Sequence, residues 1–203
     1  MNRWASVSRP LAQTGTETRF FAKFTYERLL RNPAEFMATT IRAVAITVSD
    51  RCARGEQEDV SGRALLELLR GAGADIVAHE VLADDLEPLA ERLRDLAERG
   101  DVNLIVTTGG TGFGPRDNTP EATLRVIERE ASGLAEAMRA ESLNHTPMAM
   151  ISRGVCGIRS GTLIINLPGS PKGVRESFAV IKPVLSHAVE LLAGDTEHEA
   201  GRK

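Results

Sequence analysis

Short apolar runs rich in β-branched residues alternate with segments of helical periodicity from residue 41 onward, and this alternation constrains the fold most. The run at 41–48 is typical of a buried strand. We expect further strands at 76–82, 104–106 and 162–165, and helices at 61–72, 86–99, 120–129, 133–144 and after 171, the last kinked or split by Pro183. Because strands joined by helices form βαβ units, the sequence predicts an α/β protein with a parallel sheet and helices on both faces.

Aromatic residues and charge are distributed unevenly along the chain. Six of the eight aromatic residues lie in the first 36 positions, which carry a net charge of +3 against −6 for the remainder. We interpret residues 1–36 as an N-terminal extension that is unstructured or that precedes a translation start at Met37. The alternative is a docking segment whose aromatic side chains pack on the domain or on a partner. The organised domain is expected at 40–194, and residues 195–203 are expected to form a frayed tail.

The overall composition excludes several classes of protein. Hydrophobic residues make up 42% of the chain and charged residues 26%, which is typical of globular proteins. No apolar run approaches the ~20 residues that a membrane helix needs. A net charge of −3 disfavours a general nucleic-acid-binding protein, which would be basic. Cys52 and Cys156 lack the spacing of metal ligands and fit a reducing compartment, so we expect a cytoplasmic protein without a zinc site.

Polar loops follow the predicted strands at the edge where ligands bind. In parallel sheets this edge is formed by the carboxyl ends of the strands. Ser49-Asp50-Arg51 follows the first strand, Ala83-Asp84-Asp85 the second, and Asn166-Leu-Pro-Gly-Ser-Pro-Lys172 the last. We expect these loops to converge on one site.

The loop after Val106 is the strongest functional signal, because glycine occupies positions 109, 110, 112 and 114. Glycine weakens strands but permits positive φ angles and close approach of a ligand to the backbone. Thr119-Pro120 resembles a helix N-cap followed by proline at the first helical position, and Ser170-Pro171 repeats the device. The spacing fits neither the Walker A nor the dinucleotide pattern and leaves a phosphate site and a plain tight turn equally open. Arg116 and Asp117 on the same loop favour phosphate with Mg²⁺.

Structural explanations also remain open for the neighbouring polar residues. Asp84 could cap the helix that begins near Leu86 or could bind a metal ion. Asp50 could cap a helix or pair with Arg51. Ser152 and Arg153, just before the last predicted strand, are by default a turn serine and a surface arginine.

Several separate motifs together resemble one known family. The segments Thr107-Thr-Gly-Gly-Thr-Gly-x-x-x-Arg-Asp117-x-Thr-Pro and Asn166-Leu-Pro-Gly-x-Pro-Lys172 resemble the paired signatures of the molybdenum cofactor biosynthesis domain. Val48-Ser-Asp-Arg51 and Gly133-Leu-Ala-Glu-Ala-Met-Arg139 fit it as well. The resemblance covers about residues 40–194 and is strongest to the molybdopterin adenylyltransferases of the MogA and MoaB type, which are related to the gephyrin G domain.

This resemblance implies a three-layer α/β/α sandwich with a mostly parallel sheet, usually assembled as a homotrimer. It implies Mg²⁺-dependent transfer of AMP from ATP to the phosphate of molybdopterin, with release of pyrophosphate and hand-off of the product to a molybdenum insertase. Asp84 and Asp117 match the family's catalytic and metal-binding aspartates, although Asp85 could replace Asp84. Nucleotide binding is implied for Thr108, Gly109, Gly110, Thr111 and Gly112. Molybdopterin binding is implied for Ser49, Asp50, Ser152, Asn166, Pro168, Gly169, Ser170 and Lys172.

Two other functions fit the same motifs less well. A non-catalytic molybdopterin-binding or carrier module would keep the fold, but this chain retains both aspartates. A molybdenum insertase uses a related domain but normally carries further domains, for which 203 residues leave no room. We therefore expect an enzyme whose partners are molybdopterin and ATP, with neither nucleic acid nor a membrane among its ligands.

Overall fold

A computed structural model describes residues 39–194, and its sheet confirms the α/β prediction. The six strands are β1 (Arg42–Val48), β2 (Asp75–Leu82), β3 (Leu104–Thr108), β4 (Arg129–Glu130), β5 (Cys156–Arg159) and β6 (Thr162–Leu167). They form one sheet in the order β2-β1-β3-β6-β5-β4. The first four strands in that order are parallel, whereas β5 and β4 add an antiparallel edge. The expectations for residues 1–36 and 195–203 lie outside the described residues.

Helices cover both faces of the sheet and create two separate apolar cores. The α-helices are α1 (Asp50–Ala53), α2 (Val60–Gly71), α3 (Leu86–Glu98), α4 (Thr119–Val126), α5 (Ser132–His145) and α6 (Pro171–Leu192), and a 3-10 helix spans Pro147–Ile151. One core joins α2, α5 and α6 to the sheet around the buried Phe178. The other joins α3 and α4 to the opposite face around Leu93 and Ile105. Because successive side chains of a strand point to opposite faces, Val44 and Ala45 enter different cores, and the three-layer arrangement is confirmed.

The antiparallel edge was missed by the sequence reading. The predicted helix at 120–129 ends at Val126, because Ile127 turns to an extended conformation and leads into the two-residue strand β4. Strands β5 and β6 form a hairpin across Ser160 and Gly161, which have φ angles of 48° and 79°. A two-residue turn with two positive φ angles is a standard hairpin connection. The Ser-Gly dipeptide was therefore a usable signal for β5, whereas a strand as short as β4 has no readable periodicity.

Helix α6 is not split by its internal proline. It runs from Pro171 to Leu192 with Pro183 inside it, so of the two expected outcomes, a kink or a split, the split is wrong. The apolar face made by Phe178, Ile181 and Leu185 is buried on both sides of the proline. Packing of this face holds the helix together across the hydrogen bond that proline cannot donate. Within residues 39–194, none of the helices combines the length and apolar character required to cross a bilayer.

Replacement of Pro183 by alanine tests whether packing of the apolar face holds α6 together despite the hydrogen bond that is missing at the proline. Pro183 is exposed, so Pro183→Ala restores a backbone donor without changing the core. A proline inside a helix is about 3 kcal/mol less favourable than an alanine, so the substitution stabilises the folded helix. The unfolded chain with alanine is more flexible than the chain with proline, and this offsets about 1 kcal/mol of that stabilisation. We expect the free energy of unfolding to rise by about 1–2 kcal/mol in urea titrations. The neighbouring exposed change Lys182→Ala should stay within ~0.5 kcal/mol. A loss of stability in Pro183→Ala would show that the helix is built around the proline.

Candidate active site

The glycine loop between β3 and α4 makes a close turn against the end of β1. Gly109 and Gly110 have φ angles of 101° and 61°, a region that disfavours side chains. A β-carbon on Gly109 would collide with the carbonyl of Val48, and one on Gly110 would collide with Thr119 Oγ1. Glycine is therefore required here by the protein itself, whatever the loop binds.

Thr119 closes the loop rather than capping the following helix. Its backbone N–H donates to the Gly110 carbonyl at 3.1 Å, and its hydroxyl donates to the Gly109 carbonyl at 2.9 Å. Helix α4 begins at Thr119 itself, so the predicted N-cap at this residue is wrong; Asn118 is the cap and makes no side-chain hydrogen bond to the helix. By contrast, Ser170 caps α6 as predicted, accepting from the Gly173 N–H.

The closed loop leaves a run of backbone donors available. The N–H groups of Gly110, Thr111, Gly112 and Phe113 have no acceptor among residues 39–194. Consecutive free N–H groups next to a helix N-terminus form a favourable environment for phosphate oxygens. This geometry supports the phosphate interpretation that the glycine spacing alone left open.

Asp84 lies beside the loop, with its carboxylate partly buried. Its Oδ2 accepts from the backbone N–H of Asp50 at 2.8 Å, and Oδ1 would lie 3.0 Å from a β-carbon on Gly110. Burial, and secondarily the neighbouring charges of Asp50 and Asp117, raise the pKa of Asp84 above its ordinary value. Asp84 does not cap α3, whose N-cap is Asp85. The capping explanation for Asp84 on its own helix is therefore wrong.

Asp50 has its charge balanced by Arg116 rather than by Arg51. Arg116 Nε and Nη2 donate to the two Asp50 oxygens at 2.7 and 2.8 Å, and Nη2 also reaches Asp85 at 2.9 Å. The Arg116 hydrogen bonds, followed by the Asp84 backbone N–H, hold the pKa of Asp50 below its ordinary value. The cation expected for phosphate is thus paired with carboxylates in this structure. Ser49 caps α1 by accepting from the Cys52 N–H.

Asp117 supports the glycine loop and presents one free carboxylate oxygen. Its Oδ2 accepts from the Gly114 N–H at 2.7 Å and would lie 2.9 Å from a β-carbon on Gly112. Asp84 and Asp117 therefore flank the same loop, and neither Oδ1 has a donor among the described residues. No group of three or more carboxylate, histidine or cysteine ligands occurs within residues 39–194. This donor set fits Mg²⁺, which usually binds one or two carboxylates and completes its shell with phosphate and water.

A pocket of about 290 Å³ opens at the other side of the loop. The walls come from the end of the glycine loop, from α5, from the segment around the 3-10 helix and from the start of α6. The lining includes five residues predicted to bind molybdopterin, namely Ser152, Asn166, Pro168, Ser170 and Lys172, and two predicted to bind nucleotide, Thr111 and Gly112.

The remaining predicted binding residues lie outside this pocket. Ser49 and Asp50 are near Asp84 on the opposite side of the glycine loop and do not line the cavity. Gly169 packs on the loop instead, since its β-carbon would lie 3.2 Å from the Gly109 Cα. Thr108 is buried and donates to the Pro168 carbonyl at 2.7 Å. The structure thus separates a carboxylate side from a pocket side, with the glycine loop between them.

The side-chain amide of Asn166 makes hydrogen bonds that hold the pocket wall. Its amide nitrogen donates to Thr107 Oγ1 and Thr123 Oγ1 at 3.1 and 2.9 Å, and its Oδ1 accepts from the Val155 N–H at 3.1 Å. The residue is 2% exposed. Its side chain therefore positions the 154–155 backbone at the pocket rather than offering its amide to a ligand.

Arg153 makes contacts at the site that the sequence did not predict. Its Nε donates to the Gly112 carbonyl at 2.6 Å, Nη2 donates to the Asp117 carbonyl at 2.6 Å, and Nη1 pairs with Glu121. Its backbone N–H also donates to Thr111 at 2.9 Å. Arg153 is therefore no ordinary surface arginine: it clamps the glycine loop to the segment that forms the pocket wall. A single sequence carries no signal for this, because the three acceptors lie 32–41 residues away.

Comparison with known families covers the part of the chain that holds the glycine loop and the pocket. A family model described as a probable molybdopterin binding domain matches residues 44–187. The chain belongs to this family. Its match lies inside the 40–194 domain expected from the sequence, and it contains the glycine loop, both aspartates and the pocket.

Several curated proteins in this molybdopterin-binding family are close to the chain in sequence. It is 39% identical over 158 residues to a molybdopterin adenylyltransferase of Helicobacter pylori, covering 77% of this chain and 90% of the relative. It is 38% identical to the Escherichia coli protein of the same name, covering 74% and 78%. The Drosophila melanogaster molybdenum cofactor synthesis protein cinnamon is 42% identical over 151 residues, but the chain spans only 25% of that protein.

Solved structures of the family have the same fold. MoaB from Thermus thermophilus, a molybdopterin biosynthesis enzyme, superposes with a TM-score of 0.72 at 48% identity, covering 76% of this chain and 98% of MoaB. The Mog protein of Mycobacterium ulcerans gives a TM-score of 0.71 at 41% identity, covering 77% and 99%. The expected family and fold are both confirmed.

The carboxylates of Asp84 and Asp50 should respond to pH in opposite ways. Because the pKa of Asp84 is raised in the folded state, ionisation of this carboxylate lowers the free energy of unfolding once the pH exceeds the ordinary pKa of an aspartate. Asp84→Asn should therefore gain stability relative to the unmodified protein as pH rises from about 3 to 7. Because the pKa of Asp50 is lowered, Asp50→Asn should lose relative stability over the same range. Urea midpoints without divalent metal measure both, and parallel trends would contradict this charge assignment.

Loss of the Arg153 hydrogen bonds should loosen the glycine loop, whereas loss of a similar arginine contact elsewhere should not. Arg153→Lys keeps the charge but cannot reach three acceptors in one plane. Arg159→Lys is the matched control, because Arg159 pairs with Glu98 and donates to the Val126 carbonyl far from the loop. We expect Arg153→Lys alone to speed proteolytic cleavage within the loop at 109–118, by about 10-fold, since a hydrogen bond from a charged group contributes about 1.5–3 kcal/mol. Equal cleavage rates in both variants, followed by mass spectrometry, would make the Arg153 effect one of general stability.

Proposed function

We propose that this chain is a molybdopterin adenylyltransferase of molybdenum cofactor biosynthesis. The observation that carries the proposal is the run of backbone N–H groups from Gly110 to Phe113 that lack an acceptor within residues 39–194, next to two aspartates and a pocket. Relatives that are 38–39% identical and bear this name support the same activity.

The proposed reaction joins two anions and requires little covalent chemistry from the protein. A phosphate oxygen of molybdopterin attacks the α-phosphorus of ATP, the new P–O bond forms, and the bond to the β-phosphate oxygen breaks. Pyrophosphate leaves with its electron pair, and adenylyl-molybdopterin remains. Positioning and electrostatic stabilisation account for most catalysis in phosphoryl-type transfers.

The glycine loop is proposed to hold the nucleotide phosphates. The N–H groups of Gly110, Thr111 and Gly112 have no acceptor among residues 39–194, while Thr108 and Gly109 fix the start of the turn. Because Thr111 and Gly112 also line the pocket, a molybdopterin phosphate held there reaches the same donors. One loop can thus orient both reacting groups.

Asp84 and Asp117 are the residues that would hold Mg²⁺. When bound, the ion supplies neutralisation of the charge on the triphosphate. Asp84 is preferred over Asp85 because its carboxylate faces Gly110, whereas Asp85 is 51% exposed and pairs with Arg116. Burial, followed by the charges of Asp50 and Asp117, raises the pKa of Asp84, and a bound cation would oppose that shift.

The pocket is proposed to hold the pterin part of molybdopterin. Ser152, Pro168, Ser170 and Lys172 line it directly, and Asn166 and Gly169 position its wall. Ser49 and Asp50 would act from the carboxylate side through their contacts with α1 and Arg116. A homotrimer, hand-off to a molybdenum insertase and a cytoplasmic location complete the proposal; free Cys52 and Cys156 support the location.

Asp117→Asn separates a metal-binding role from support of the loop. Asparagine can still accept the Gly114 N–H, so the free energy of unfolding should change by less than ~0.5 kcal/mol. Pyrophosphate release with molybdopterin, ATP and Mg²⁺ should fall at least ~10²-fold, as expected for loss of one electrostatic stabiliser. Molybdopterin binding should persist, because the pocket is unchanged.

Asp85→Asn is the matched control for the carboxylate side. It removes an exposed charge next to Asp84, and turnover should stay within about 10-fold of the unmodified enzyme, whereas Asp84→Asn should match Asp117→Asn. If the unmodified protein binds molybdopterin tightly but releases no pyrophosphate, the chain is a binding module rather than a transferase.

A further inference from the structure

A carboxylate without a hydrogen bond lies in the pocket proposed for the pterin. Glu176, on the second turn of α6, lines the cavity, and its side chain is only 21% exposed. Its contacts are ion pairs of Oε1 with Lys172 Nζ at 3.7 Å and His145 Nδ1 at 3.9 Å. Both distances exceed a hydrogen bond, and Oε2 has no donor among residues 39–194.

This placement is unexpected for a site that receives an anion. A negative charge near a phosphate would oppose binding, and a mostly buried carboxylate without donors carries a desolvation cost. The next residue, Ser177, is 1% exposed, also lines the pocket and makes no side-chain hydrogen bond within the described chain. Two adjacent polar groups of α6 thus face the cavity with unused acceptor capacity, which indicates a ligand that donates hydrogen bonds there.

The shape of the pocket gives the orientation of such a ligand. Thr111 and Gly112 form the end next to the glycine loop, where the phosphate must react. Glu176 lies toward α5, because it also lines an outer groove together with Glu141 and His145. A molybdopterin whose phosphate reaches the loop therefore places its ring system toward Glu176.

We propose that Glu176 recognises the 2-amino-4-oxo pyrimidine edge of the pterin, an inference that rests on the proposed function. This edge presents the N3–H and the 2-amino group side by side, a pair of donors that matches the two oxygens of a carboxylate. Lys172 and His145 hold the carboxylate from its other oxygen. Glu176 thereby selects a 2-amino pterin over a 2-oxo ring. In the 2-oxo ring a carbonyl oxygen takes the place of the amino group, and this oxygen and the carboxylate are both acceptors that repel each other.

Fluorescence titration with two small ring compounds tests this selection. Pterin and lumazine are the probes, since they differ at position 2 by an amino or an oxo group. The unmodified protein should bind pterin at least ~10-fold more tightly than lumazine, the scale of a charge-assisted hydrogen bond. Glu176→Gln should weaken pterin binding by about 10–100-fold and remove most of the preference. Undetectable preference in the unmodified protein, or a preference that survives Glu176→Gln, would overturn the proposal.

Glu141→Gln is the matched control, because Glu141 also contacts His145 but lines only the outer groove. It should leave both affinities within about 2-fold, and a loss equal to that of Glu176→Gln would show a general effect of charge and overturn the proposal. In the adenylyl transfer assay, Glu176→Gln should raise KM for molybdopterin with kcat at saturation nearly unchanged, as for an interaction made equally before and during the reaction.

The two proposals fail in different ways. If the unmodified protein shows Glu176-dependent preference for pterin but no pyrophosphate release, the recognition stands and the transferase assignment falls. If adenylyl transfer proceeds but the preference for pterin over lumazine does not depend on Glu176, the transferase assignment stands and the proposed recognition by Glu176 is wrong.

Discussion

The closure of the glycine loop by Thr119 is the interaction on which the site depends. Two hydrogen bonds from one residue, to Gly109 and Gly110, turn the chain sharply after β3 and start helix α4. This turn packs the loop against the end of β1 and exposes consecutive backbone donors. A side chain at either glycine would break it by collision with the protein, so the turn and the proposed phosphate site are one structure rather than alternatives.

The charges around the loop are balanced unevenly. Asp50 is neutralised by Arg116, whereas Asp84 is partly buried and its carboxylate accepts only the Asp50 N–H within residues 39–194. Asp117 uses one oxygen for the loop, and the other has no donor in the part of the chain that the structure describes. This leaves local negative charge beside donors suited to phosphate. In the proposed function, a divalent cation bound with the nucleotide would relieve that imbalance.

The two sides of the site are mechanically connected. Arg153 joins the carbonyls of Gly112 and Asp117 to the segment that forms the pocket wall, and Asn166 fixes the same segment from the sheet. Displacement of the glycine loop would therefore disturb contacts of the pocket wall, and displacement of the wall would disturb contacts of the loop. Glu176 extends this arrangement to the far end of the pocket, so that recognition of the ring and placement of the phosphate would be set by one rigid framework.

The sequence by itself determined the alternation of strands and helices, the parallel core and the four loops at one sheet edge, because these follow from local hydrophobic periodicity. It also located the glycine loop and Ser170 at the start of α6, since glycine, serine and proline have local conformational preferences. Only the tertiary structure decided that Thr119 closes the loop, that Arg116 pairs with Asp50, and that Ser49 and Asp50 lie apart from the pocket. Arg153 and Glu176 acquire their roles from partners brought together by the fold, and such long-range contacts leave no periodic trace in one sequence.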